Sequence, residues 1–231
     1  MSTPIDPGKV FVVIPAYNEN AVIVSVIEEL IPLHFKIIII DDGSESPLYP
    51  VIKHLPITIL RHRVNMGQGA ALRTGIEYAL SKKAEYIVTF DADGQHNPAY
   101  IDHLLQPLLT KNFDITIGSR FMAASKHNMP LKRKYLLQFA RYINFFFSGL
   151  LLSDAYNGMR AMSGSAAEAI DIQETGMAHS TEILSKIRKR KLRLLEVPVE
   201  INYTRYSLKK GLNIWSSFRI FFDILLNKIF K

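Results

Sequence analysis

The sequence predicts an α/β fold, an α/β/α sandwich around a mainly parallel central sheet, from three observations. Short β-branched apolar runs alternate with amphipathic stretches of helix length through residues 1–120, the rhythm of repeated strand–helix–strand units. Some runs, such as Ile37 to Ile40, are apolar throughout, as strands covered on both faces are. Polar, chemically able residues follow the carboxyl ends of successive runs, and that edge of an open α/β sheet is where ligands bind.

The elements follow in order. Val10 to Ile14 reads as a strand stopped by Pro15, Ala21 to Leu30 as an amphipathic helix, and Ile37 to Ile40 as a strand that ends in Asp41-Asp42-Gly43-Ser44. Ile57 to Leu60 is a third strand, Gly67 to Ser81 a helix, and Tyr86 to Phe90 a strand that runs into Asp91-Ala92-Asp93. Asn97-Pro98 starts a helix that reaches Leu109, because Asn caps helices and Pro fits their first turn. Ile115 to Ile117 is a fifth strand, ending at Gly118-Ser119-Arg120. After Arg120 the rhythm changes. Tyr135 to Leu152 is rich in Phe, Leu and Ile but carries Gln138, Arg141, Asn144 and Ser148, so it predicts an interfacial or core helix and falls short of the ~20 apolar residues of a membrane span. Asp154 to Met162 reads as a polar loop leading to a helix, Leu194 to Val199 as a late strand, and Arg205 to Gly211 as a basic loop. From Leu212 to Lys231, Trp215, Phe218, Phe222, Leu225 and Ile229 recur at helical spacing. The expected organisation is one domain over 1–211, with halves 1–120 and 121–211, and a C-terminal amphipathic helix over 212–231.

Composition sets bounds on chemistry. The chain has 231 residues, 48% hydrophobic and 21% charged, which excludes intrinsic disorder. The absence of cysteine excludes disulfides, thiolate metal sites and a cysteine nucleophile. The N-terminus MSTPIDPGK lacks the basic-then-apolar order of a signal peptide, so a cytosolic protein is expected. Charge is uneven: residues 1–125 carry 10 basic and 13 acidic side chains, residues 126–231 carry 18 and 8. The second half therefore faces something anionic.

Asp91-Ala92-Asp93-Gly94-Gln95-His96 is the strongest local signal. Two carboxylates one residue apart at a strand tip can converge on a hard divalent cation, which prefers oxygen ligands and bridges them to a diphosphate. Helix capping alone does not require both, since Asn97-Pro98 already starts the next helix. Asp41-Asp42-Gly43-Ser44 alone is an ordinary turn; beside the other tips it can hold a ribose or a base. Asn65 to Gly75 places small residues and backbone N–H groups at a helix start, suited to an anion, without the spacing of a dinucleotide fingerprint.

Taken together, Ile14-Pro15-Ala16-Tyr17-Asn18-Glu19, Asp41-Asp42-Gly43-Ser44, Asn65-x-Gly67-x-Gly69 and Asp91-Ala92-Asp93-x-Gln95-His96 resemble family 2 glycosyltransferases of the GT-A Rossmann-like fold. Gly118-Ser119-Arg120, Asn157-Gly158-Met159-Arg160 and Glu196-Val197-Pro198-Val199 to Arg205 resemble the dolichyl-phosphate mannose synthase branch, which moves a hexose from a nucleotide sugar to a polyprenyl phosphate. The resemblance implies that Pro15, Tyr17, Glu19, Asp42, Asp91, Ala92 and Asp93 bind the nucleotide sugar. Asp91, Asp93 and Gln95 would hold Mg²⁺ or Mn²⁺, while Arg120, Arg160, Arg205, Lys209 and Lys210 would face donor and acceptor phosphates. The basic loop is shorter than in that branch, and the paired C-terminal membrane spans of many bacterial relatives are lacking. Membrane contact is therefore expected to be peripheral, on the cytosolic face, with room for a small membrane-protein partner.

The expected mechanism is inverting and metal-dependent, with Asp93 and Arg120 at its centre. A phosphate acceptor is already anionic and needs cationic positioning rather than a base. A hydroxyl of a cell-surface glycan, the alternative acceptor, needs a carboxylate base, and Glu182 in His179-Ser180-Thr181-Glu182 is the candidate, its other reading being a polar cluster at a helix start. His179 is an extra ligand, a phosphate contact, or structural. Lys186 to Arg193 lacks interleaved aromatics, so a solvated face or an anionic-membrane patch is expected in place of a nucleic-acid site. The C-terminal helix, with Trp and Phe beside cations, fits an interfacial helix on a bilayer.

Overall fold

Alternation along β1 (Val10–Ala16) decides the architecture. Val10, Val12 and Ile14 join one apolar cluster with Ile37, Ile39, Val88 and Phe90, whereas Phe11 and Val13 join a second with Ile38, Ile40 and Ile87. Successive side chains of a strand point to opposite faces, so both faces of the sheet are apolar and both require helices.

The computed structural model of the protein describes residues 5–122, 129–204 and 206. Along the chain, β1 is followed by α1 (Ile23–Leu30), β2 (Lys36–Asp41), α2 (Tyr49–Ile52), β3 (Thr58–Arg61), α3 (Gln68–Ser81) and β4 (Tyr86–Thr89). Then come α4 (Ile101–Leu109), β5 (Ile115–Ser119), α5 (Leu131–Ser148), β6 (Arg160–Ser163), α6 (Gly164–Ile170), α7 (His179–Lys189) and β7 (Leu194–Pro198). The seven strands form a sheet in the order β3-β2-β1-β4-β6-β5-β7. Every neighbouring pair is parallel except those of β6, which runs antiparallel to β4 and β5. Strand order reverses between β1 and β4, which opens a crevice at their carboxyl ends. Helices α1, α2 and α4 pack on one face, and α3, α6 and α7 on the other. Each fully buried Ile or Leu in these layers, such as Ile27 and Leu104, contributes about 1.5–3 kcal/mol relative to an exposed one.

The fold class is as the sequence predicts, with two corrections. Pro15 does not stop β1, which continues to Ala16 with Pro15 paired opposite Ile40 on β2. The Val13 carbonyl accepts from Phe90 N, so residues 13 and 15 turn their polar groups toward β4, and the β4 ladder ends at Val13. The N–H that proline lacks is therefore missing where no partner strand needs it. The second correction is β6, which begins inside the stretch expected to be a loop leading to a helix. Its four residues carry no alternation of their own and become a strand because β4 and β5 pair with it from both sides. The α5 helix starts at Leu131 and ends at Gly149, whose φ of +74° suits a helix terminus. Arg205, Lys209, Lys210 and the helix expected over 212–231 lie outside the described residues.

Helix α3 approaches the sheet through Gly75, where a Cβ would stand 2.4 Å from Val13 Cγ1 and 2.6 Å from Ile40 Cδ1. We expect Gly75→Leu to lower the urea midpoint, costing about 1–3 kcal/mol through overpacking. A midpoint at or above that of the parent would show that α3 can stand off the sheet.

Candidate active site

The tips of β1 and β2 are stapled to each other. Asn18 N donates to Ser44 Oγ (2.9 Å) and Glu45 N to Asn18 Oδ1 (2.9 Å), with Asn18 at a φ of +55° that its side chain tolerates. Pro15 is buried in β1, Glu19 is buried and Tyr17 is exposed at the mouth of the crevice. Tyr206 donates its hydroxyl to Glu19 Oε2 at 2.7 Å, so the C-terminal segment crosses back to the β1 tip. Burial and the neighbouring Glu19 and Asp93 charges raise the Tyr206 phenol well above its usual range.

The paired aspartates after β2 divide their work. Asp41 accepts from Ser44 N (2.9 Å), Leu48 N (3.1 Å) and Arg61 Nη1 (2.8 Å). Burial opposes its charge, but the Ser44 and Leu48 hydrogen bonds and Arg61 outweigh that, and its pKa falls below the ordinary 3.8. Asp42, expected to read the base or ribose, is 3% exposed and holds the loop before α3. Its carboxylate accepts from Met66 N (2.9 Å) and Gly67 N (2.8 Å) and meets His62 Nδ1 at 2.7 Å, while His62 Nε2 reaches Thr74 Oγ1 at 2.9 Å.

At the tip of β4, Asp91 accepts from His96 Nε2 (3.0 Å) and Gln68 Nε2 (3.2 Å). Its side chain keeps 30% of its surface open to solvent. Burial opposes its charge, yet His96 above all, with Arg160, brings its pKa below the ordinary value. Asp93 behaves oppositely. Burial and the Asp91 charge raise its pKa, although Gln95 donates to it from both its backbone and its side-chain amide. Ala92, between them, is buried in the core. Asn202 N donates to Gln95 O at 2.9 Å, and His96 pairs with Ile201, so the segment after β7 pins this loop. Two carboxylates that repel each other in a crevice, one of them short of countercharge, fit a hard divalent cation. Among the described residues no group of three or more acidic or histidine side chains is arranged to hold a metal ion, and His96 is engaged as a hydrogen-bond partner of Asp91, so Gln95 is the neighbouring side chain left to add an oxygen donor.

The arginines are more internal than expected. Arg120 is 6% exposed; it grips Asp154 through Nε and Nη2 and donates from Nη1 to Tyr203 Oη at 2.9 Å. Burial opposes that charge, but Asp154 and Tyr203 raise its pKa nonetheless. Asp154 is in turn placed by Glu196, which accepts from Ser153 N and Asp154 N. Arg160 is 2% exposed, lies near Asp91 and Asp154, and donates from Nη2 to Ser180 Oγ at 3.3 Å. Burial lowers its pKa to about 10. Glycine 158 lets this loop close on the site, since a Cβ there would stand 2.1 Å from Asp91 Oδ2.

Glu182 lies in the first turn of α7, where it accepts from Gln173 N (3.1 Å) and Glu174 N (2.9 Å) and pairs with Lys186 at 2.9 Å. Burial and then Arg160 lower the His179 pKa to about 4, so its ring is neutral, with Nδ1 donating to Gly176 O at 2.8 Å. Sequence reasoning assigned no role to Asp154, His62, Gln68, Tyr206 or the His96 contact. The partner of Arg120 was the one within reach of sequence, since an arginine ending an apolar strand needs a countercharge and Asp154 is the first acidic residue after it.

A mainly parallel sheet with a reversal between β1 and β4, and an Asp-x-Asp pair at the reversal, match the glycosyltransferases of the GT-A class. Solved structures agree in fold: glucosyl-3-phosphoglycerate synthase from Mycobacterium tuberculosis, crystallised with Mn²⁺ and UDP, superposes with a TM-score of 0.71 at 20% identity, covering 95% of this chain and 79% of that one. Mannosyl-3-phosphoglycerate synthase from Rubrobacter xylanophilus gives 0.71 at 16% identity, over 94% and 71%. The glycosyl transferase family 2 model matches residues 11–171, and the chain belongs to that family. It is 33% identical to UDP-N-acetylglucosamine–dolichyl-phosphate N-acetylglucosaminyltransferase of Methanococcus voltae, over 96% of this chain and 97% of that one. It is 26% identical to polyprenol monophosphomannose synthase of Mycolicibacterium smegmatis, over 89% and 83%. An uncharacterised Methanocaldococcus jannaschii protein is 36% identical over 98% and 95%.

Two outcomes test the network. Asp154→Ala strands the buried Arg120 charge, and we expect a loss of about 3–5 kcal/mol in urea unfolding, partly recovered in Arg120→Met/Asp154→Ala; an unchanged midpoint would show that Arg120 finds other partners. Asp41, with a depressed folded pKa, stabilises the fold above its unfolded value and loses that contribution as pH falls through the folded one. The stability gap between parent and Asp41→Asn should therefore narrow below about pH 4, and a constant gap would refute it.

Proposed function

We propose that the protein transfers a sugar from a nucleoside-diphosphate donor to a polyprenyl phosphate, with inversion, at the cytosolic face of a membrane. The observation that carries the choice of acceptor is the state of Glu182. A sugar hydroxyl needs a carboxylate base, and the carboxylate proposed for that task is spent on two backbone amides and Lys186. A phosphate acceptor needs none. The relatives named as dolichyl-phosphate and polyprenol transferases support the same acceptor, and the first of these also supports a UDP-linked donor.

In this reading the crevice between the β1 and β4 tips receives the nucleotide, with Pro15, Tyr17 and Glu19 on one side and Asp91 to Asp93 on the other. Asp91, Asp93 and Gln95 would hold Mg²⁺ or Mn²⁺, which when bound neutralises the leaving diphosphate. Structural neighbours crystallised with Mn²⁺ support this choice. Asp42 acts by fixing the Met66–Gly67 backbone at the start of α3. Arg120 and Arg160 act as positioning residues: the first braces Asp154, the second supplies countercharge to Asp91. Arg205, Lys209 and Lys210 are proposed to face the acceptor phosphate.

The test is transfer from a panel of UDP- and GDP-sugars, UDP-N-acetylglucosamine first, to a short polyprenyl phosphate, counting label in the organic phase with and without EDTA. We expect a lipid-soluble product that EDTA abolishes and that Asp93→Asn lowers by about a hundredfold or more, ~3 kcal/mol of barrier. Glu182→Gln should keep the rate within severalfold, whereas loss of a general base costs about 10²–10⁴. Absence of lipid product with every donor would sink the reading.

A further inference from the structure

Helix α5 has two unlike faces. Leu137, Asn144 and Ser148 are buried, and Asn144 Nδ2 donates to Thr181 Oγ1 of α7 at 3.2 Å. Leu131, Tyr135, Phe139, Tyr142 and Phe146 follow each other at steps of three and four residues, so they form one stripe. That stripe points outward: Tyr135 is 72% exposed, Phe139 64% and Phe146 77%. Single exposed apolar residues are ordinary, but a contiguous aromatic stripe marks a contact surface.

Charge says what the stripe meets. The first turn of α5 reads Lys132-Arg133-Lys134, with no acidic residue. Cations at a helix N-terminus oppose the macrodipole, so helix stability does not account for them, whereas an anionic surface does. At the other end Arg188 packs against Gly149, and Arg188, Lys189, Arg190 and Lys191 are all exposed. Arg141 lies over the Tyr142 ring, 4.9 Å from its centroid. An aromatic stripe with cations at both ends is the pattern of a helix lying in the headgroup region of an anionic bilayer. Among the described residues no helix is long and apolar enough to cross a membrane.

We propose that the outward face of α5 is a docking surface for an anionic lipid bilayer, the aromatic stripe entering the headgroup–acyl boundary and the flanking cations contacting lipid phosphates. The proposal builds on the lipid-acceptor reading, but its test uses vesicles without acceptor, so the two can fail separately. The full chain is sedimented with vesicles of phosphatidylcholine mixed with phosphatidylglycerol and with phosphatidylcholine alone. We expect binding to the mixed vesicles that falls as salt rises, and a roughly tenfold loss of affinity in Phe139→Glu/Phe146→Glu. Because both residues are exposed, the urea midpoint should not move; Phe139→Ser/Phe146→Ser, which adds no charge, should also weaken binding. Both variants should keep parental transfer to a short, water-soluble polyprenyl phosphate.

Undiminished vesicle binding by both variants would overturn the proposal and assign docking to another segment, such as 212–231. A parent dimer that becomes a monomer in the variants, by light scattering, would overturn it by making the stripe a contact between copies. Vesicle binding as expected with no transfer by the parent would leave the docking surface standing and remove the acceptor reading alone.

Discussion

Holding two like charges at the tip of β4 is the constraint around which this structure is arranged. An uncompensated carboxylate away from water is costly, and Asp91 receives His96 and Gln68 as hydrogen-bond donors and Arg160 as a buried countercharge. Each comes from a different place in the chain: the loop after β4, the start of α3, and β6. The antiparallel insertion of β6 thereby acquires a reason. Its first residue is Arg160, paired with Thr89 at the end of β4, and Thr89 Oγ1 donates to Gly158 O at 2.6 Å. A strand run in the parallel sense would enter from the opposite edge and leave Asp91 without that charge.

A second network braces the other wall. Glu196 on β7 orders Ser153 and Asp154, Asp154 grips Arg120 at the end of β5, and Arg120 reaches Tyr203. From Tyr203 the chain passes to Tyr206, which closes on Glu19 beyond β1. These hydrogen bonds, with the Arg120–Asp154 ion pair at their centre, link β7, β5 and the segment beyond β1. Buried ion pairs contribute little net stability compared with apolar packing; what they contribute here is fixed position for backbone that the β4 tip requires.

The parts legible in the sequence are those set by local pattern. Strands β1 to β5 and β7 carry apolar runs with turn chemistry behind them, and the Asp-x-Asp pair stands out at a strand tip. Pro15 and β6 were misread for one reason: whether a proline is tolerated, or four residues become a strand, depends on where neighbouring ladders end, which no local window contains. The roles of Asp42, Arg120 and Arg160 were obscured differently. Their residue types suit ligands, but a carboxylate or guanidinium serves the backbone and a phosphate through the same hydrogen bonds, so only partners at 2.7–3.2 Å, such as those of Asp42 and Arg120, reveal what it is committed to.

That commitment also changes what the charge asymmetry means. The basic excess of the second half reads from sequence as a surface for something anionic, and the described part of it divides in two. Arg160 is internal, and Arg193 and Lys186 are paired with Asp114 and Glu182. Of the exposed remainder, Lys134 lies in the first turn of α5, and Arg188 to Lys191 lie toward its other end, where Arg188 meets Gly149. A pocket for one phosphate needs two or three convergent cations, not a row along a helix with aromatics between. The row suits an extended anionic surface, and a protein held by that surface meets its acceptor in two dimensions, where a lipid-linked phosphate is already concentrated and only the soluble donor must diffuse to the crevice. On the proposed function, therefore, the same charge distribution that adds nothing to the fold brings the reaction to the place where its acceptor is.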